Sequence, residues 1–159
     1  MTRLADRICV VTGAGGIAAA AAVRLAREGA RVFTISIDAD QCVALHDELA
    51  GVGQDHGWAA ADLKNESETV AAFAACVEQY GRIDSLLAVV GGSGRSLGDG
   101  PADAIPLAGW QATIDLNLTT TFLAVRETLK QMTAQSPPGG SIVVTSSVLA
   151  QHPSPGRFT

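Results

Sequence analysis

The sequence predicts an α/β fold built on a doubly wound parallel sheet. Three observations lead there. Short apolar, β-branched runs alternate along the chain with stretches of strong helix formers, an order that calls for parallel strands joined by right-handed crossovers. Those apolar runs are nearly continuous, as befits strands covered on both faces. A glycine cluster, Gly13, Gly15 and Gly16, falls at the first passage from strand to helix. At 159 residues, with no internal repeat or low-complexity tail, a single domain is expected.

Taken in order, ICVVT (8–12) is short, apolar and β-branched, a first strand. AAAAAVRLAREGA (18–30) is helix, stopped by Gly29. RVFTISI (31–37) reads as a second strand and DQCVALHDELAG (40–51) as a second helix with Gly51 behind it. WAAADL (58–63) is a short third strand. ESETVAAFAACVEQYG (66–81) is a helix opened by a capping box, Asn65 with Glu68 three residues on. RIDSLLAVV (82–90) is a buried fourth strand. After the loop GGSGRSLGDGP, residues 107–133 predict one long helix with Ile114, Leu118, Phe122, Val125 and Leu129 at helical spacing. SPPGG breaks it before a fifth strand, GGSIVVT (139–145), which delivers two serines.

Composition narrows the function. The net charge is −5 with no basic cluster, which argues against a nucleic-acid or anionic-membrane partner. No apolar run approaches the roughly 20 residues that cross a bilayer. The N-terminus lacks the apolar core and cleavage site of a signal peptide. Cys9, Cys42 and Cys76 are distant from one another and odd in number, which fits buried thiols in a reducing cytoplasm better than disulfides. His46, His56 and His152 show no metal-ligand spacing with them. The expectation is a cytoplasmic domain that binds no metal.

Ligands of doubly wound sheets sit beyond the carboxyl ends of the strands, here residues 12–18, 36–38, 61–63, 88–94 and 145–150. In the first, the glycines let backbone approach a pyrophosphate, and the helix behind them offers free N–H groups and a positive dipole end. The bland alternative is a tight turn with no ligand. Asp38 has two readings of equal weight. It can reach a ribose 2′-hydroxyl, or with Gln41 it can cap the second helix. No Lys or Arg lies in the glycine loop or just after Ile37, so a 2′-phosphate finds no evident partner there.

These residues also carry a likeness. T-G-A-G-G-I-A followed by a helix ending R-E-G-A resembles the cofactor loop of the short-chain dehydrogenase/reductase family. G-R-I-D-S-L-L (81–87) resembles its fourth strand, Trp110 with Asn117 its long helix, and G-S-I-V-V-T-S-S its fifth strand. The resemblance runs from residue 7 to the last residue, in register, and implies a Rossmann-like sheet. Two departures stand out. The family loop T-G-x-x-x-G-x-G is one residue shorter here between Gly13 and Gly16, with Ala18 in place of its last glycine. The family's Asn-Asn-Ala-Gly after strand four is Ala88-Val89-Val90-Gly91.

What the resemblance implies is an NAD(P)-dependent oxidoreductase that transfers hydride between a nicotinamide cofactor and an alcohol or carbonyl substrate, as a homo-oligomer. It assigns the cofactor to Gly13, Gly15, Gly16, Ile17, Ser36, Asp38, Asp62, Leu63, Val90 and Gly91, with Ser36 where the family carries its ribose-binding acid and Asp62–Leu63 against the adenine. The cofactor is expected to be NAD, with NADP left open. Ser147 matches the serine that bonds the substrate oxygen, and Asn117 the asparagine that holds a relay water. The family's tyrosine, with a lysine four residues later, belongs near position 160, just past Thr159. Tyr80 is the one tyrosine, Lys64 and Lys130 are the only lysines, and they form no such pair. The chain is therefore expected to be a C-terminally incomplete cofactor-binding domain without turnover of its own, with its fifth strand an open apolar edge prone to association. A non-catalytic dinucleotide-binding module or redox sensor is the competing reading. A third is an epimerase-type or regulatory relative of the same fold.

Overall fold

A computed structural model describes residues 2–53, 55–98 and 100–152. The strands are β1 (Ile8–Thr12), β2 (Arg31–Ser36), β3 (Gly57–Ala60), β4 (Ser85–Ala88) and β5 (Ser141–Val144). Between them run α1 (Gly16–Arg27), α2 (Ala39–Ala50), α3 (Glu66–Tyr80), α4 (Leu107–Ile114) and α5 (Thr120–Ala134). All five strands are parallel, in the order β3-β2-β1-β4-β5. The order reverses between β1 and β4, the switch point at which such sheets bind ligands.

Strand periodicity divides the core in two. Cys9, Val11 and Val32 point to one face, where α1 and α2 pack Ala18, Ala22, Ala26, Cys42, Leu45 and Leu49. Ile8, Val10, Phe33 and Ile35 point to the other, against Ala72, Phe73 and Cys76 of α3 and Ala124 and Met132 of α5. The alanine-rich α1 lets helix and sheet approach closely.

The paired strands are shorter than their apolar runs, and side chains set the limits. β4 was expected over 82–90. Before it, the buried Gln135 amide accepts from Ile83 N at 3.0 Å and donates to Ile83 O at 2.9 Å. After it, Thr12 Oγ1 accepts from Val89 N at 2.9 Å and Val90 N at 3.2 Å. β3 stops at Ala60, opposite Ser36, the last residue of β2. α1 begins at Gly16 and ends at Arg27, where 18–30 was expected.

The long helix expected over 107–133 is interrupted by a π turn, Asp115–Thr119, between α4 and α5. Asn117 Nδ2 donates to Thr113 O, Thr120 Oγ1 to Leu116 O and Thr121 Oγ1 to Asn117 O, all within 3.0 Å. Side chains that bond to the carbonyls of the preceding turn loosen the helical ladder and permit such a bulge.

Candidate functional site

A cleft of about 380 Å³ opens at the carboxyl ends of the strands, within the range of small-molecule sites. Its walls come from the β1–α1 turn (Thr12 to Gly15, with Ala18), the end of β2 (Ser36, Ile37), Gln41 of α2, Ala61 to Lys64, Val89 to Gly91, and Leu116 and Thr120.

The glycine turn is built on conformation. Gly13 takes φ +94°, and a methyl added there would lie 3.2 Å from the Ala18 side chain. Ala18, buried, thus packs inward against Gly13, so the methyl that replaces a family glycine fills the turn itself. Gly16 also needs positive φ, +52°. Gly15 caps α1 with no side-chain hydrogen bond, and no acid stands in the helix's first turn. Ala18 N donates to Gly15 O at 3.1 Å, and the N–H groups of Gly16 and Ile17 are left without a side-chain cap at the start of α1, the kind of donor set a pyrophosphate needs. A Cβ on Gly15 would lie 2.9 Å from Gln41 Oε1, so the wall there is close.

Asp38 caps α2. Its Oδ1 accepts from Gln41 N at 3.0 Å and its Oδ2 from Gln41 Nε2 at 2.8 Å. Its own N donates to Ser36 Oγ at 3.3 Å. Ser36 and Gln41 line the cleft and Asp38 does not. At the end of β3, Asp62 Oδ1 accepts from Lys64 N at 3.0 Å, and Lys64 Nζ lies 3.4 Å from Asp62 Oδ2. Leu63 is buried beneath. The capping box differs from the expected one. Asn65 Oδ1 accepts from Ser67 N and Glu68 N, but Glu68 Oε2 reaches past Asn65 to accept from Asp62 N at 2.8 Å.

On the β4 side, Asn117 staples the turn that the valines of 88–91 do not brace. Its Oδ1 accepts from Gly92 N at 2.9 Å and its Nδ2 donates to Gly92 O at 3.0 Å. A Cβ on Gly91 would sit 2.6 Å from that Oδ1. The side chain expected to serve a relay water is thus engaged with backbone. Ile17 is exposed on the first turn of α1, outside the cleft wall. Ser147 is exposed after β5, where its Oγ accepts from Leu149 N at 3.2 Å, and it is likewise outside the wall.

The structure therefore gathers Gly13, Gly15, Ser36, Asp62, Leu63, Val90 and Gly91 around one cleft, with Gly16 adjoining it at the start of α1. Ile17, Asp38, Asn117 and Ser147 are not part of its wall. Sequence reasoning placed Thr12 in the ligand region without singling it out, and missed Gln41 as a wall, and Leu116 with Thr120. A hydroxyl at the end of a buried strand before a glycine was the available signal for Thr12. Tyr80 lies elsewhere: its hydroxyl donates to Asp55 O at 2.9 Å, and burial raises its pKa well above the usual phenol value.

The family model described as short chain dehydrogenase matches residues 7–159. The chain belongs to that family. Among its short-chain dehydrogenase relatives, D-threitol dehydrogenase of Mycolicibacterium smegmatis is 34% identical over 149 residues, covering 93% of this chain and 55% of that protein. A solved NAD+-bound xylitol dehydrogenase superposes with TM-score 0.88 at 25% identity, over 98% of this chain and 58% of that one. An actinorhodin polyketide ketoreductase with NADPH gives TM-score 0.87 at 27% identity, over 99% and 59%. The chain spans about half the length of the relatives it matches. No helix among the described residues is long and apolar enough to cross a membrane.

Proposed function

We propose that this chain is the dinucleotide-binding part of an NAD-dependent short-chain oxidoreductase that acts on an alcohol or carbonyl compound. The observation that carries the reading is the uncapped N-terminus of α1, reached through Gly13, Gly15 and Gly16 at the switch point of the sheet. Both named structural relatives bound to a nicotinamide cofactor support it. The bound nicotinamide supplies a hydride acceptor or donor for the substrate carbon. The chain's own residues bind and orient. The α1 N–H groups hold the pyrophosphate, Leu63 gives the adenine an apolar floor, and Val90 and Gly91 border the nicotinamide end. Asn117 fixes that border by gripping Gly92 at both its N–H and C=O. Ser147, which follows β5, the strand next to β4, donates its hydroxyl to the substrate oxygen.

NAD is favoured over NADP because the end of β2 and the start of α2 carry no cation to meet a 2′-phosphate. Tyr80 is half-buried away from the cleft, its hydroxyl held by Asp55 O, so it moves no proton at the cleft; this favours binding without turnover by these residues alone, the second reading. The exposed stripe Leu118, Phe122 and Leu129 supports self-association.

Calorimetric titration of the chain with NADH tests the reading. Saturable binding is expected, and it is expected to be lost in Gly16→Asp, which sets a carboxylate at the positive end of α1. Absence of binding to the wild-type chain at millimolar NADH overturns it.

A further inference from the structure

The ribose end of the cleft lacks the acid that normally accepts from the adenosine 2′-hydroxyl, since Ser36 stands at that position. The nearest carboxylate, Asp38, is turned to α2 and spends both oxygens on Gln41, one on its backbone N–H at 3.0 Å and one on its side-chain amide at 2.8 Å. A carboxylate only accepts, so it fixes the Gln41 amide with Nε2 inward. The carbonyl oxygen Oε1 is then forced outward. It lies beside Gly15, 2.9 Å from where a Cβ would stand, on the cleft wall. Among the described residues no hydrogen bond is made to it.

We propose that Gln41 Oε1, oriented by Asp38, is the acceptor for the adenosine 2′-hydroxyl and the residue that selects against a 2′-phosphate. This rests on the dinucleotide reading of the cleft. A hydroxyl donates to Oε1. A 2′-phosphate, which has only acceptor oxygens when ionised, meets a carbonyl lone pair with the Asp38 carboxylate directly behind it. Lys64, the one cation on the cleft wall among the described residues, is on the β3 side and paired with Asp62 at 3.4 Å. Ser36 Oγ accepts from Asp38 N at 3.3 Å, and Ser36 and Gln41 both line the cleft. Asp38 is thus a positioning residue, acting through Gln41.

The test titrates the chain and two variants with NAD, NAD lacking the adenosine 2′-hydroxyl, and NADP. The wild type is expected to bind NAD about 3- to 10-fold more tightly than the 2′-deoxy form, the range of one hydrogen bond. In Gln41→Leu, which keeps the backbone N–H that Asp38 caps, that ratio falls to one. Asp38→Asn retains the helix cap, because Asn caps as well as Asp, but offers Gln41 a donor. The Gln41 amide can then turn its N–H outward, and NADP gains at least about 3-fold relative to NAD. A merely structural role moves all three ligands together. Preserved 2′-hydroxyl preference in Gln41→Leu, or an unchanged NADP-to-NAD ratio in Asp38→Asn, overturns the proposal while leaving the dinucleotide site standing. Failure of the wild type to bind any of the three overturns both.

Discussion

Replacing Thr12 by Val is the sharpest test of how the cleft is held open. Thr12 is 1% exposed at the end of β1, and its Oγ1 is the acceptor for both Val89 N and Val90 N. Those two N–H groups follow β4, where β1 has run out and no ladder partner remains. Valine has the same shape but no acceptor, so both donors are orphaned. A buried donor left unsatisfied costs about 1–3 kcal/mol. Val89 and Val90 are half-buried, so partial access to water lowers the sum to about 2–3 kcal/mol. At about 2–4 °C per kcal/mol for a chain of this size, the melting temperature falls by roughly 4–12 °C. Thr12→Ser is the control. It keeps the acceptor and removes one methyl, worth about 0.8 kcal/mol. Urea unfolding read by far-ultraviolet circular dichroism gives both values. NADH affinity is expected to drop in Thr12→Val, because Val90 and Gly91 lose their anchor. No loss of stability in Thr12→Val, or a larger loss in Thr12→Ser than in Thr12→Val, would mean that the methyl, and not the hydroxyl, holds the turn, and the reasoning fails.

Three further outcomes follow from single groups. His56 accepts from Val32 N at Nδ1, and its pKa is lowered by burial first and by His46 second, with Asp55 opposing. The unfolded chain therefore binds the proton more readily, so stability is full above the ordinary histidine value near 6.5 and declines as pH falls through it. The urea midpoint is expected to fall between pH 7.5 and 5.5, and a flat midpoint across that window refutes the assignment. Cys76 is fully buried and its pKa is pushed up to about 12; it should resist alkylation by iodoacetamide in the native chain and react once urea unfolds it, as peptide mass mapping reads. Asn117→Ala removes both bonds to Gly92 and is expected to weaken NADH binding about 3- to 30-fold at a modest cost in melting temperature, whereas unchanged affinity shows that the staple is irrelevant to the site.

The sheet was legible because its signals are local and agree: glycines after a β-branched run, helix stops at Gly29 and Gly81, and apolar runs of strand length. The strand ends were not, because Gln135 and Thr12, distant in sequence, take the backbone groups at either end of β4. The π turn was hidden for a related reason. Helical spacing of Ile114, Leu118 and Phe122 persists through it, while the bonds that open it come from Thr and Asn side chains folding back on carbonyls. At the site, Asp38 carried two readings, and the one that the geometry displays is the cap. What no linear pattern contained was the outward-facing Gln41 oxygen, which depends on how a carboxylate turns an amide.

The two ends of the sheet are finished by opposite means, and that difference locates the chemistry. At the amino end, polar groups are consumed. Asp84 takes Arg7, Arg82 and Ile8 N, His56 takes Val32 N, and Gln135 closes on Ile83 and Gly139. At the carboxyl end, side chains bond to backbone so as to end the strands and cap α2 and α3 through Asp38 and Asn65, while α1 is capped by a glycine that offers no side-chain acceptor. A helix end with unpartnered donors is costly unless water or an anion completes it. At α1 that end lies where β1, β4 and a glycine turn converge on the cleft, which is the ground on which we propose a bound phosphate as its acceptor.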